Sequence, residues 1–218
     1  MTNARVRVGM APRSQPFDAS VESLRQAMCV AQDAGIKITF EKVLGGAPGF
    51  QNACPIMAHM IADGDTHLFF AADDVLYPPD TILRLVNADK DAICGIYRKS
   101  CVTNLEPANY SESAEEFLRR FKEGGIYETK FASAHSLTIK RHVIEKMMAD
   151  YPELAFHAGN ETQYALFLPM IHEGKCYQDD WSFSIRARQS GFTLWDDFGC
   201  RLQHHCSAFL GFESLENL

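Results

Sequence analysis

Short apolar segments alternate along this chain with segments of helical period, and this alternation constrains the fold more than any other feature. Strands are predicted at residues 5–10, 36–43, 67–71, 91–97, 136–139 and 192–195. Helices are predicted at residues 19–34, 78–86, 113–124, 141–148 and 179–189. Strands that alternate with helices imply a mostly parallel sheet covered by helices on both faces. We therefore expect a single α/β domain over residues 1–218, with a central, mostly parallel mixed sheet.

The charge and hydropathy of the chain argue against two classes of protein. Acidic residues outnumber lysine and arginine by 28 to 21, and the net charge of −7 is the opposite of the basic face that a nucleic-acid-binding protein carries. No segment approaches the roughly 18 consecutive apolar residues that suggest a membrane-spanning helix. We expect neither nucleic-acid binding nor an integral membrane segment.

The seven cysteines favour a reducing compartment. They form no Cys-x-x-Cys pair, and their odd number leaves one unpaired, so a zinc ribbon or a disulfide framework has little support. The sequence MTNARVRVGMAPRSQ at the N-terminus lacks the apolar core of a signal peptide. Reduced, mostly buried thiols and a cytoplasmic location are the expectation.

An acidic pair, Asp73 and Asp74, directly follows the apolar strand predicted at 67–71. Ligands of open α/β sheets bind beyond the carboxyl ends of the strands, so this pair is predicted to lie at the ligand site. Two carboxylates there can hold a hard cation such as Mg²⁺ or Mn²⁺. The alternative is a pair of solvated loop aspartates, with Asp80 capping the next helix.

Two further groups of polar residues are candidates for chemistry. Asp179 and Asp180 stand where a helix is predicted to begin, and the alternative for this pair is an N-cap, because aspartate suits the positive end of the helix dipole. His204 and His205 follow the last predicted strand. A histidine pair in that position is more often part of the packing or the surface than a ligand set, although imidazole can bind Mn²⁺.

Residues 66–99, THLFFAADDVLYPPDTILRLVNADKDAICGIYRK, resemble a segment of GT-A glycosyltransferases in which a strand ends in an Asp-x-Asp motif. The likeness is closest to small enzymes related to glycosyltransferase family 2, including phage and bacterial ones. It implies that Asp74 takes the place of the second aspartate, a metal ligand. It also implies that Asp73 contacts the metal, its bound water or the donor ribose. Ala72 stands where the first aspartate is common, so one acidic group of the motif is missing.

The segment CYQDDWSFSIRARQSGFTLWDD is similar to the motif that supplies the catalytic base in inverting members of the same family. By that match Asp180 is the base and Asp179 occupies the preceding acidic position. A carboxylate there can deprotonate an acceptor hydroxyl as the hydroxyl attacks the anomeric carbon. The resemblance also places His204 at the metal or the diphosphate, with His205 as the second choice, and Cys206 where a glycine is usual.

Weaker likenesses cover other parts of the donor site. The opening VRVGMAPRSQPFDASVESL resembles the first strand and helix, whose connecting loop meets the nucleotide base, and this implies contacts from Pro12, Arg13 and Ser14. At 132–135, Ala-Ser-Ala-His replaces the glycines of the loop that lines the sugar and acceptor site, which makes His135 a wall of the pocket. At 51–54 the sequence lacks the arginine with which relatives meet the diphosphate.

These likenesses imply a metal-dependent glycosyltransferase that takes its sugar from a UDP- or GDP-type donor, with Mn²⁺ or Mg²⁺. The acceptor would be a glycan, a lipid or a protein, and the enzyme a possible homo-oligomer. Two alternatives stay open. The missing aspartate at Ala72 suits a catalytically silent nucleotide-sugar-binding protein. A metal phosphoesterase would use Asp73, Asp74, His204 and His205 to activate water.

Overall fold

A computed structural model describes residues 3–12, 16–43, 49–97, 113–205 and 209–210. The strands are β1 Arg5–Met10, β2 Lys37–Lys42, β3 His67–Ala71, β4 Val75–Leu76, β5 Ala92–Ile96, β6 Ile126–Thr129, β7 Thr138–Lys140, β8 Ala155–Ala158, β9 Glu161–Tyr164, β10 Met170–His172, β11 Lys175–Tyr177, β12 Leu194–Arg201, β13 Gln203–His205 and β14 Phe209–Leu210. The α-helices are α1 Asp18–Asp33, α2 Gly49–Asp63, α3 Thr81–Asn87, α4 Ala114–Glu123, α5 Arg141–Asp150 and α6 Asp179–Gln189. None of the helices in these ranges is long and apolar enough to cross a membrane.

Seven strands form the central sheet, in the order β2-β1-β3-β7-β5-β12-β6. β1 pairs in parallel with β2 and β3, and β5 pairs in parallel with β12. β7 lies antiparallel between β3 and β5, and β6 is antiparallel to β12. Five strands therefore run in one direction and two run in the other. The prediction of a mostly parallel mixed sheet is confirmed.

Helices cover both faces of the central sheet, and the side chains of β3 belong to the hydrophobic core on each face. Phe69 belongs to a core cluster with residues of α1 and α3, whereas Leu68 and Phe70 belong to a second cluster with residues of α2, α5 and α6. Successive side chains of a strand point to opposite faces, so a continuously apolar strand fits a sheet that is covered twice. The flanking helices of the predicted α/β architecture are confirmed by these two clusters.

Several predicted boundaries agree with the structure, and α6 begins and ends at the predicted residues. The Ser113 hydroxyl accepts a hydrogen bond from the Glu116 amide, which is one half of a capping box at the start of the helix predicted over 113–124. The helix predicted over 78–86 begins only at Thr81; Asp80 is its N-cap residue but makes no side-chain capping bond. α2 was not predicted, because Pro55 lies inside it and a loop-like sequence precedes it.

Gly95, on β5, lies close to the backbone of β12. A Cβ atom added at this glycine would lie 2.7 Å from both the carbonyl oxygen and the Sγ atom of Cys200 on β12. Cys200 lies in the segment of β12 where the pairing with β5 shifts register, and its carbonyl, as part of the backbone, moves less easily than the end of a flexible side chain. We expect Gly95→Ala to lower the free energy of unfolding by about 2 kcal/mol, the typical cost of overpacking.

Urea unfolding of Gly95→Ala and of Ala158→Ser, a change on the exposed strand β8, would measure this effect. The control should stay within about 0.5 kcal/mol of the wild type. A Gly95→Ala protein as stable as the control would contradict the proposed crowding between β5 and β12.

Candidate active site

A cavity of about 240 Å³ lies at the carboxyl ends of β1 and β3, next to the first turn of α6. Its lining residues within the described ranges are Ala11, Ala53, Phe70, Ala71, Ala72, Asp73, Asp74, Ala134, His135, Phe167, Asp179 and Asp180. Four of these side chains are carboxylates, and none of the twelve is a lysine or an arginine. The two acidic pairs singled out in the sequence therefore meet in one cavity, which suits a cation more than a free anion.

Asp74 and His204 are brought together by the small sheet of β4, β13 and β14. β4 begins directly after Asp74, and its first residue, Val75, lies opposite His204 in the antiparallel pairing with β13. The His205 amide donates to the Asp74 carbonyl oxygen at 2.8 Å, which closes this pairing next to the acidic loop. As a result, His204 Nε2 lies 3.2 Å from Asp74 Oδ2.

His135 joins this pair from the loop that precedes β7. Its Nε2 atom is 4.0 Å from Asp74 Oδ1. One possible ligand atom from each of Asp74, His135 and His204 lies within 4.8 Å of the other two. A carboxylate oxygen and two imidazole nitrogens form a donor set that a divalent first-row ion such as Mn²⁺ can use, whereas Mg²⁺ prefers oxygen alone.

The histidines also control the ionisation of Asp74. Burial would raise the pKa of this carboxyl, but the hydrogen bond with His204 and the charges of His135 and His204 outweigh burial and hold the pKa below its ordinary value. Asp74 is therefore an anion at neutral pH, as a metal ligand must be.

Aromatic packing fixes the two imidazole rings. The ring of Tyr97 lies 4.4 Å from that of His135 and 5.4 Å from that of His204, measured between centroids. The buried Nδ1 of His204 has no hydrogen-bond partner in the described part of the chain. Unsatisfied buried nitrogens are rare in proteins, and a water molecule is one partner that could satisfy this atom.

His205, the second candidate for contact with the metal or the diphosphate, does not join the group around Asp74. Its ring packs against Phe17 with a centroid distance of 3.9 Å, and it is not part of the group formed by Asp74, His135 and His204. Adjacent residues of a strand project to opposite faces, so only one histidine of the pair can face Asp74.

Tyr77 connects the acidic loop to the loop of His135 through its side-chain hydroxyl. Its hydroxyl accepts a hydrogen bond from the Ala72 amide at 2.7 Å and lies 2.8 Å from the carbonyl oxygen of His135, to which it can donate. The side chain is 4% exposed, and burial raises its pKa well above the ordinary value, so the hydroxyl keeps its proton. This contact depends on the tertiary structure, and no local pattern around Tyr77 indicates it.

Asp179 and Asp180 form the first turn of α6 but do not cap it. The N-cap residue is Gln178, whose side chain makes no capping bond. Asp179 Oδ1 accepts from the Asp180 amide at 3.1 Å, and Asp180 Oδ1 accepts from the Trp181 amide at 2.9 Å. The N-cap alternative is therefore wrong in position, because an N-cap side chain would bond an amide two or three residues farther along.

Asp180 has a pKa that suits proton transfer near neutral pH. Burial, followed by the charge of Asp179, raises the pKa of Asp180 to about 6, and hydrogen bonds from the backbone amides of Trp181 and Ala134 offset part of that rise. A general base works best when its pKa lies close to the operating pH. Strongly shifted carboxyl groups of this kind cluster at functional sites.

Arg186 anchors the segment that places Phe167 in the cavity. Its Nη1 atom donates to the carbonyl oxygens of Leu166 at 2.9 Å and Leu168 at 2.7 Å, and the residue is 5% exposed. The ring of Phe167 stacks on that of Phe183 in α6, with centroids 4.5 Å apart. One buried guanidinium thus fixes the distance between α6 and one wall of the cavity.

We expect Arg186→Met to lower the free energy of unfolding by about 3 kcal/mol, because two buried carbonyl groups would lose a charged donor. Chemical denaturation would measure the change, with Arg188→Met on the more exposed side of α6 as the matched control. Equal stability of the two variants would show that the bonds to Leu166 and Leu168 contribute little.

The remaining predicted contacts stay predictions. Pro12 is buried beside Ala11, a lining residue, whereas Arg13, Ser14 and Cys206 lie outside the described residues. Residues 51–54, where the sequence lacks the arginine of the resembling enzymes, belong to α2. Among them, Ala53 lines the cavity.

Comparison with known proteins gives a likeness in structure alone. No family model matches the chain, and no curated protein matches it in sequence. The crystal structure of A197 from STIV is similar with a TM-score of 0.52 and 15% identity, over 92% of this chain and 85% of A197. The structure of GalNAc-T7 with UDP, GalNAc and Mn²⁺ is similar with a TM-score of 0.50 and 9% identity.

The match to GalNAc-T7 covers 92% of this chain but only 43% of that protein, so the present chain corresponds to less than half of it. At these identities the likeness concerns the fold and not the chemistry. Together with the seven-stranded mixed sheet, it shows that the chain has a mixed α/β fold of the Rossmann-like GT-A type.

Proposed function

We propose that this protein is a metal-dependent glycosyltransferase that moves a sugar from a nucleotide-diphosphate-sugar to an acceptor hydroxyl. One observation carries the proposal. Asp74 and His135, which form a group of possible metal ligands with His204, line the same cavity of a GT-A-type fold as Asp180, whose pKa is raised to about 6. The sequence motifs around both acidic pairs further support a relation to glycosyltransferase family 2.

The donor diphosphate would bind on the Asp74 side of the cavity. The described lining supplies four carboxylates and no lysine or arginine, so a diphosphate needs a cation between itself and the protein. A divalent ion held by Asp74 and His204 would offset the negative charge that builds on the leaving nucleoside diphosphate. Asp73 would contact the ribose or metal-bound water, and Pro12, Arg13 and Ser14 would meet the base.

Asp180 would act as the general base on the acceptor side. As the acceptor oxygen forms a bond to the anomeric carbon, the bond from that carbon to the diphosphate breaks, and the hydroxyl proton passes to the Asp180 carboxylate. This arrangement corresponds to an inverting reaction. Asp179 keeps Asp180 basic through its charge and is the next candidate for the base.

The raised pKa predicts the pH dependence of transfer. Only the deprotonated form of Asp180 accepts a proton, so kcat/KM should fall about tenfold per pH unit below about 6 and level off above that value. A pH–rate profile recorded with saturating Mn²⁺ would test this expectation. A profile that is flat between pH 5 and pH 7 would remove Asp180 from the role of base.

A thermal-shift screen of UDP- and GDP-sugars, each with Mn²⁺ and with EDTA, tests the donor class. A ligand at 100 times its Kd stabilises the native state by about 2.7 kcal/mol, which is a measurable rise in Tm. We expect at least one nucleotide-sugar to raise Tm in the presence of Mn²⁺ and to lose that effect in EDTA. A complete panel without a metal-dependent shift would contradict the proposal.

A catalytically silent nucleotide-sugar-binding protein is the second candidate, because Ala72 lines the cavity where the family resemblance expects an aspartate. Such a protein would give the same thermal shift without turnover. The phosphoesterase alternative is weaker, since His205 packs against Phe17 and does not belong to the group around Asp74.

A further inference from the structure

We propose that His135 is the third protein ligand of the metal and replaces the carboxylate that is missing at Ala72. This inference rests on the metal site of the proposed function and concerns how the present chain builds that site. Ala72 lines the cavity but offers no side-chain ligand atom. His135 Nε2 stands 4.0 Å from Asp74 Oδ1, in the group of three that also includes His204.

The position of His135 is fixed relative to the acidic loop by one buried hydroxyl. Tyr77 accepts from the Ala72 amide at 2.7 Å and contacts the His135 carbonyl oxygen at 2.8 Å. The backbone beside the missing carboxylate and the backbone of the substitute ligand are therefore held by the same atom. A ligand from a second loop is precise only when its backbone is held in this way.

The hydrogen bonds of the His135 ring are compatible with the tautomer in which Nε2 can bind a metal. Nδ1 lies 2.8 Å from the hydroxyl oxygen of Ser133, and this hydroxyl lies 3.1 Å from the hydroxyl oxygen of Tyr97. When Nδ1–H donates to Ser133 and Ser133 donates to Tyr97, both contacts are satisfied and Nε2 keeps its lone pair. Ser133 is fully buried, so water does not compete for this proton. Ser133 is thus a positioning residue for the ligand.

The ligand set also predicts which ion the site selects. Two imidazole nitrogens and one carboxylate oxygen match an ion that accepts both nitrogen and oxygen. Mg²⁺ keeps a nearly complete oxygen shell and gives up its water reluctantly. Mn²⁺ should therefore bind more tightly than Mg²⁺, and restoring an aspartate at Ala72 should reduce the dependence on His135.

Binding of Mn²⁺ alone to the full chain, measured from the EPR signal of the free ion, tests the inference. We expect His135→Ala to raise the Kd for Mn²⁺ by on the order of 10²-fold, and Ser133→Ala to raise it about tenfold. His157→Ala, on the exposed strand β8, is the control and should match the wild type. The double variant Ala72→Asp with His135→Ala should recover most of the affinity lost in His135→Ala.

Melting temperatures of all variants show whether they fold, and the spectrum of Co²⁺ bound in the same site reports coordination independently of affinity. Loss of imidazole from the Co²⁺ spectrum of His135→Ala would support the inference. Wild-type Mn²⁺ affinity in a folded His135→Ala protein, or no Mn²⁺ binding to the wild type, would overturn it. Mn²⁺ binding that depends on His135, combined with no nucleotide-sugar binding, would overturn the proposed function and leave this inference standing.

Discussion

Asp180→Asn is expected to lower the rate of sugar transfer by a factor on the order of 10² to 10⁴ and to leave donor binding close to that of the wild type. The amide oxygen can still accept the hydrogen bond that Asp180 Oδ1 receives from the Trp181 amide, so the first turn of α6 should keep its geometry. The amide cannot accept a proton at neutral pH. The rate of the chemical step should therefore fall, whereas donor binding should change little.

The stability of the same variant separates a base from a structural residue. Because burial and Asp179 raise the pKa of Asp180 from 3.8 to about 6, the native state binds this proton more tightly than the unfolded chain does. The contribution of Asp180 to the free energy of unfolding therefore falls as the pH rises between these two values. At pH 7 the Asp180→Asn protein should be as stable as the wild type or more stable.

Measuring Tm and transfer rate together checks both expectations, with Asp33→Asn on the exposed end of α1 as the control. A stable Asp180→Asn protein with wild-type turnover would mean that the base lies elsewhere, and Asp179→Asn would be the next variant to measure. A destabilised protein at pH 7 would show instead that the carboxylate supports α6.

Asp74→Asn is expected to raise the Kd for Mn²⁺ by about 100-fold or more and to abolish the metal-dependent thermal shift by nucleotide-sugars. Asp74 is the anionic member of the group with His135 and His204, and its lowered pKa keeps it charged at neutral pH. The amide keeps the shape of the side chain but loses the charge that attracts the ion. A change in an outer-shell group alone costs 10- to 100-fold in metal affinity, so loss of a ligand should cost at least as much.

Isothermal titration of Mn²⁺ into the wild type, Asp74→Asn and the Asp33→Asn control measures this loss. His204→Ala should show a similar decrease, because its Nε2 atom faces the same carboxylate at 3.2 Å. Equal Mn²⁺ affinity in the wild type and Asp74→Asn would remove Asp74 from the metal role.

The fold was largely predictable from the sequence because its signals are local. Apolar strands such as 67–71, and the Asp179–Gln189 helix with glycine after it, show their structure within a few residues. The rule that ligands bind at the carboxyl ends of strands then placed Asp74 at the ligand site. Asp180 follows β11, which lies outside the central sheet, so its place in the same cavity was indicated by the family resemblance and not by the strand-end rule.

What the sequence did not predict depends on contacts between distant segments. α2 was not predicted, because Pro55 and the preceding loop-like sequence argue against a helix that contains the buried Ile56, Met57 and Met60. The strands of the small hairpins β8–β9 and β10–β11 are only three or four residues long and largely exposed, so their sequence contains little periodicity.

The place of His135 in the site was equally hidden. The sequence suggested only a wall of the pocket, because the position of His135 depends on Tyr77 and Tyr97, which contact its loop from other parts of the chain, and on Ser133 within the same loop. Such contacts leave no periodic pattern. These contacts become visible only in the folded structure.

Release of nucleoside diphosphate from the nucleotide-sugar that gives the largest thermal shift tests the central claim most directly. The wild-type protein, with Mn²⁺ and a mixture of glycan, lipid and peptide acceptors, should release the nucleoside diphosphate and transfer the sugar to an acceptor. EDTA should stop this release, and added Mn²⁺ should restore it. A wild-type protein that binds the nucleotide-sugar with Mn²⁺ yet releases no nucleoside diphosphate would contradict the claim and identify a silent binding protein.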